Sequence, residues 1–197
     1  MAFAKTDERA LATNGFLTMV EKSFRNGDDV YRRTIVQHPG AVVIVPIMDR
    51  SRVVVVRQFR PAVETYIVEL PAGKRDVPDE DLLVTAQREL QEECGLQAQH
   101  LSLVGSFLNS PGFTDELTHV VLALGLSEAP QAPQSAEEAD MEVRTISIGA
   151  IDDFSALVGL NDGKSIIGIA LAKLYLMHHV EELAAYVDSP EVRGRLS

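Results

Sequence analysis

Two rhythms of apolar residues run along the chain, one of period two and one near 3.6, and they divide it into strands and helices. From Gly15 to Gln37 alternating apolar positions flank Asn26-Gly27-Asp28, a turn signal, so this stretch predicts an N-terminal hairpin. Ala41 to Ile47 and Val53 to Phe59 are rich in β-branched residues and predict central strands, with the polar Met48 to Arg52 as a hairpin loop between them. Tyr66 to Leu70 predicts a short strand, which Pro71-Ala72-Gly73 breaks before a turn-rich loop from Lys74 to Pro78. Leu101 to Leu108, Leu117 to Leu126 and Met141 to Ile148 predict further strands, and Ser127 to Ala139 predicts an exposed loop.

The helical rhythm appears twice. Asp79 is the expected N-cap of a helix running to Cys94, where Gly95 supplies a left-handed terminator. Ser165 to Val187 has the length and spacing of an amphipathic helix closed by Asp188-Ser189-Pro190. Strands with interspersed helices and several hairpin-length connections point to an α/β fold, a mixed sheet covered by helices, and away from a purely parallel doubly wound one.

Composition narrows the function classes. With 197 residues and 46% of them hydrophobic, one compact domain with a modest extension is expected. The formal net charge of -11 disfavours nucleic acid or an anionic membrane as partner, because long-range repulsion opposes either encounter. Cys94 is the single cysteine, which rules out an intrachain disulfide and fits a reducing compartment. Charges close to Met1 leave no apolar signal core, and the run Ile166 to Met177 is too short for a bilayer and contains Lys173. A soluble, cytoplasmic protein is expected.

The chemistry concentrates between Glu80 and Leu96. At about 100° per residue, Glu89 and Glu93 flank the direction of Leu82 at the border of the apolar stripe, with Glu92 a little further round. Carboxylates held that close resist ionising unless a cation lies among them. All-oxygen donors without Cys or His favour magnesium, with manganese as a substitute, and magnesium leaves positions for water and phosphate oxygens. Arg88, four residues before Glu92, can pin that carboxylate. Without its flanks the cluster reads equally well as a solvated acidic helix face.

With the flanks, Gly73 to Leu96 resembles the box of the Nudix hydrolases: Gly, five residues, Glu, seven residues, Arg-Glu, an aliphatic, any residue, Glu-Glu, any residue, Gly, an aliphatic. Glu80 and Arg88-Glu89-Leu90-Gln91-Glu92-Glu93-Cys94-Gly95-Leu96 fall in place, while six residues, Lys74 to Asp79, stand where the pattern has five. The extra residue lies in the loop before the helix, so the spacing that sets ligand geometry is kept. The resemblance implies the Nudix α/β/α sandwich, with metal ligands at Glu89, Glu92, Glu93 and the backbone carbonyl of Ala72. It leaves Glu80 a structural role at the helix start, where a carboxylate complements the dipole.

Three further segments resemble the ADP-ribose pyrophosphatase branch: Glu69 to Lys74, Pro111 to Glu116 and Glu137 to Met141. By that resemblance Pro111 and Gly112 form a rigid turn near the ligand and Glu116 accepts hydrogen bonds from ribose hydroxyls. Arg57 and Arg60 are the candidate phosphate clamps; alternation along the strand puts one of them on the site side, and family position favours Arg60. A loop glutamate serves as general base in this branch, and Glu138 matches it best, with Glu137 adjacent. Asp140 is near enough to help hold a metal.

The implied reaction is attack of water on one phosphorus of a nucleoside diphosphate derivative, converting ADP-ribose to AMP and ribose 5-phosphate. Glu138, Glu93 and Arg88 form the expected catalytic set. Another nucleotide-sugar such as GDP-mannose, or a Nudix-like regulator that binds a nucleotide without hydrolysis, are the alternatives. Residues 1-38 are expected to be a strand extension that builds a homodimer, and 39-197 the hydrolase domain. The chain has no Trp, so base stacking falls to Phe, Tyr or Arg. His178 and His179 point about 100° apart and cannot chelate one ion together.

Overall fold

The structure is a computed structural model that describes residues 3–49, 51–131, 133, 135–147, 160–179 and 186. Its elements are β1 (Ala4–Asn14), β2 (Leu17–Asn26), β3 (Asp29–Gln37), β4 (Ala41–Asp49), β5 (Arg52–Arg60), β6 (Thr65–Glu69), β7 (Ala72–Lys74), α1 (Leu82–Cys94), β8 (Leu96–Leu108), β9 (Leu117–Glu128), α2 (Ala136–Ala139), β10 (Glu142–Ser147) and α3 (Gly163–His178).

The main sheet runs β10-β5-β4-β9-β8, with β6 beside β5 and β7 beside β4. The β4–β9 pair is parallel while β4–β5, β8–β9 and β10–β5 are antiparallel, which is the mixed sheet expected from the connections. Alternation along β4 explains the layers. Val43, Val45 and Ile47 face one cluster with Leu70 and the α3 residues Ile169, Ala172 and Leu176. Val42, Ile44 and Met48 face the other with the α1 residues Ala86, Leu90 and Cys94. Each fully buried aliphatic contributes about 1.5–3 kcal/mol, so a β-branched central strand shared by two cores anchors both helix layers.

The N-terminal region is a separate three-stranded antiparallel sheet, β1-β2-β3. The hairpin β2–β3 turns between Asn26 and Asp29 as expected. β1 was not foreseen: it is exposed along its whole length, so its residues carry no apolar alternation. This sheet is tied to the loop between β8 and β9 where Val36 N–H donates to the Phe113 carbonyl at 2.8 Å.

Three local expectations are corrected. The N-cap of α1 is Asp81, whose side chain accepts from Leu83 N–H at 2.9 Å, while Asp79 stands in the preceding loop at φ 60°. Asp81 serves because its carboxylate reaches the open Leu83 N–H. Glu80 therefore lies before the helix and does not complement its dipole from within the first turn; it pairs with Arg88 at 3.3 Å. Pro71-Ala72-Gly73 does not simply break the chain, because Ala72 to Lys74 pair with Val43 to Ala41 as β7.

Gly95 ends α1 at φ 65°, as its position predicts. α3 begins two residues earlier than expected, at Gly163. The closing signal Asp188-Ser189-Pro190 lies outside the described residues, as do positions 180–185 of the expected helix. No described helix is long and apolar enough to cross a membrane.

Candidate active site

α1 and β7 lie side by side, and their contact makes the site. Glu93, only 4% exposed, accepts a hydrogen bond from Ala72 N–H at 3.0 Å. Glu89 packs against Gly73 so closely that a Cβ built there would stand 1.8 Å from the Glu89 carboxyl carbon. A side chain at this point would have to displace the Glu89 carboxylate, which accounts physically for the glycine that opens the motif.

Arg88 holds the rest of the cluster. Its Nη1 lies 2.9 Å from both Glu89 Oε1 and Glu92 Oε2, and its Nη2 reaches Glu80. Although partial burial works against its charge, the bond to Glu80 and the fields of Glu89 and Glu92 hold the guanidinium firmly protonated. Burial pushes the Glu93 carboxyl up to about 8, and the nearby Glu89 and Glu138 add to the shift against the pull of Ala72 N–H and Arg60. Burial likewise raises Glu89 to about 7, with Glu92 and Glu138 adding to it and Arg88 opposing.

These groups line a cavity of about 590 Å³. Of the residues singled out by sequence, Ala72, Arg88, Glu89, Glu92, Glu93, Arg60, Glu116 and Glu138 all reach it. Arg60 is fixed there by a bidentate pair with the fully buried Glu69, at 2.6 and 2.8 Å.

Four candidates do not reach that cavity. Arg57 faces the other way, paired with Glu142 at 2.8 Å and lying over the Tyr66 ring at 4.0 Å. Asp140 accepts from Tyr66 Oη at 2.9 Å, and its carboxylate is turned to β6. Pro111 and Gly112 line a second cavity of about 550 Å³ with Phe3, Phe24, Tyr31 and Arg33. The side chain of Glu137 lies outside the described residues. His179 stacks on Tyr175 at 4.0 Å and bonds its carbonyl, a packing role.

Other residues enter the cavity without having been foreseen. Phe16, from the β1–β2 turn, carries Lys74 Nζ over its ring at 4.5 Å and His38 at its edge. Gln58 sits two residues before Arg60 on the same strand face, a period-two signal that was available. Lys164 arrives from α3, far away in sequence, where no spacing rule could have found it.

The donor set suits a hard divalent cation: Glu89, Glu92 and Glu93 offer oxygen from one helix and Ala72 offers a carbonyl from the adjoining strand. Among the described residues no trio of acidic, His or Cys side chains is already gathered in ligating geometry. Arg88 stands between Glu89 and Glu92 and takes an oxygen of each.

Comparison with known proteins agrees with this arrangement. The NUDIX domain model matches residues 37–157, and the chain belongs to that family. It is similar to the methanol dehydrogenase activator of Bacillus methanolicus, 36% identical over 73% of this chain and 77% of that one. It is also similar to the ADP-ribose pyrophosphatase of Bacillus subtilis (strain 168), 41% identical over 59% of this chain and 63% of that one. A crystal structure of an ADP compounds hydrolase shares the fold, with a TM-score of 0.76 at 20% identity over 91% of this chain and 96% of the other.

Proposed function

We propose that this protein hydrolyses the diphosphate bond of a nucleoside diphosphate derivative, and that ADP-ribose, split to AMP and ribose 5-phosphate, is its substrate. The observation that carries the reading is the convergence of Glu89, Glu92, Glu93 and Glu138 with Arg60 on one cavity. A binding module needs no such acidic ring, which repels a phosphorylated ligand.

Magnesium, held by Glu89, Glu92, Glu93 and the Ala72 carbonyl, would neutralise phosphate oxygens and lower the pKa of water. Arg60 binds a phosphate oxygen from the β5 side, and its pairing with Glu69 keeps it aimed at little entropic cost. Glu138, on α2, takes the proton of the attacking water. Arg88 positions Glu92 and Glu89 and does not touch substrate. Glu116 offers an acceptor to a ribose hydroxyl.

The similarity to the Bacillus subtilis pyrophosphatase supports ADP-ribose over GDP-mannose. The similarity to the methanol dehydrogenase activator favours a second, regulatory reading. Residues 1-38 are proposed to pair with a second copy, since Leu11, Met19 and Val30 of the N-terminal sheet, and Phe3 just before it, are exposed. A cytoplasmic site of action is proposed with it. Incubation with magnesium and ADP-ribose, NADH, diadenosine diphosphate or GDP-mannose tests the reading; it predicts AMP and ribose 5-phosphate from ADP-ribose as the fastest reaction.

A further inference from the structure

Lys164, like Arg60, is a cation of the cavity that lies outside the Nudix motif. It is the second residue of α3, and a positive charge in a helix's first turn opposes the helix dipole. Asp162 holds it there. The Asp162 Oδ1 accepts from Lys164 Nζ at 2.8 Å, while Oδ2 accepts from Ser165 N–H at 2.9 Å and from Ser165 Oγ at 2.6 Å. Ser165 Oγ in turn accepts from Leu70 N–H at 2.7 Å, which fastens the start of α3 to the chain just before Ala72.

The ammonium is not saturated by these partners. Glu69 Oε2 lies 3.6 Å from Nζ, near enough for charge attraction but beyond hydrogen-bond length, while Arg60 engages both Glu69 oxygens. One of three N–H groups goes to Asp162, and the side chain keeps 23% exposure on a residue that lines the cavity. Glu69 and Asp162 thus hold Lys164 beside Arg60, which forms a cationic wall in a cavity otherwise dominated by acids.

We propose that Lys164 contacts the substrate, its ammonium donating to a phosphate oxygen of the bound diphosphate alongside Arg60. This rests on the diphosphate reading above. The contact exists in ground state and transition state alike, so it acts mainly on binding.

The test uses the full chain with magnesium, the variants Lys164→Gln and Lys164→Arg, and inorganic pyrophosphate as a probe. Lys164→Gln is expected to raise KM for ADP-ribose and Ki for pyrophosphate about tenfold or more, the loss typical of a hydrogen bond to a charged group. kcat should change far less, the thermal midpoint should hold, and Lys164→Arg should recover most of the affinity. Unchanged KM and Ki in Lys164→Gln, or losses that follow a fallen midpoint and are not recovered by Arg, overturn the assignment. Should Lys164→Gln not fold, Lys164→Met keeps the aliphatic stem and is read the same way. A wild-type protein that cleaves no nucleoside diphosphate derivative refutes the parent reading instead; calorimetric binding of pyrophosphate then decides Lys164 by the same tenfold criterion.

Discussion

Glu93 and Ala72, twenty-one residues apart, are joined by a hydrogen bond of 3.0 Å from the strand N–H to the helix carboxylate. The bond lets a nearly buried acid sit at the floor of the cavity and puts the Ala72 carbonyl beside it. Glu93→Gln keeps an acceptor for that N–H, so the fold should survive. The loss of a charged ligand is expected to lower kcat by about 10²–10³. Full activity in this variant, with circular dichroism and thermal midpoint unchanged, removes Glu93 from the site.

Glu138 reaches the same cavity from α2, whose first turn is anchored by Ser135 Oγ accepting from Glu138 N–H at 3.1 Å. As general base it can be replaced by an isosteric amide at the expense of rate alone. Glu138→Gln should lower kcat by roughly 10²–10⁴ while KM stays within a few-fold. A rise in KM with kcat intact would make Glu138 a binding residue.

A Cβ at Gly73 would collide with the Glu89 carboxylate where it now stands. Gly73→Ala should push Glu89 aside and weaken manganese binding by roughly ten- to a hundredfold, the usual range for disturbing a ligand's support. Calorimetric titration with Mn2+ checks this. Equal affinity in the variant would show that Glu89 is not needed where it stands.

The raised carboxyls fix a pH dependence. Glu93 and Glu89 titrate near 8 and 7 in the folded protein, above the ordinary carboxylate value of 4.5. A group whose folded pKa is raised binds more protons folded than unfolded, so stability falls as pH rises from that ordinary value through the folded one. Metal-free protein should lose stability on the order of a few kcal/mol between pH 5 and pH 8 from this source. His119 acts oppositely below its ordinary range, because burial lowers its pKa, so the Glu93 contribution is taken as the difference from Glu93→Gln. Bound divalent metal should reverse the trend, since deprotonation and binding are linked. A wild-type midpoint that tracks Glu93→Gln across this range contradicts the buried-acid reading.

How far the site was legible depended on distance along the chain. The spacing of Glu89, Glu92 and Glu93 lies within one helix, and helix geometry is fixed by sequence, so their shared face could be read directly. Alternation sets Arg57 and Arg60 on opposite faces and family position favours Arg60; the structure puts Arg60 on the cavity side and Arg57 over Tyr66. Asp140 and Pro111 were proposed from resemblance, and the fold carries the first to Tyr66 and the second to another cavity. The cap of α1 was misplaced by two residues because hydrogen-bond geometry, and not composition, chooses among adjacent acids. β1 left no trace, since a strand solvated on both faces needs no hydrophobic rhythm. Lys164 and Phe16 required tertiary structure, because nothing local links α3 or the β1–β2 turn to α1.

Manganese binding followed by electron paramagnetic resonance addresses the central claim most directly. Wild-type protein should take up Mn2+ stoichiometrically near neutral pH. Glu89→Gln and Glu93→Gln should each weaken that uptake and slow ADP-ribose hydrolysis, by about 10²–10³ for Glu93→Gln, and EDTA should silence the wild type. Unaltered Mn2+ uptake in the doubly substituted protein, or hydrolysis that persists in EDTA, would contradict the account.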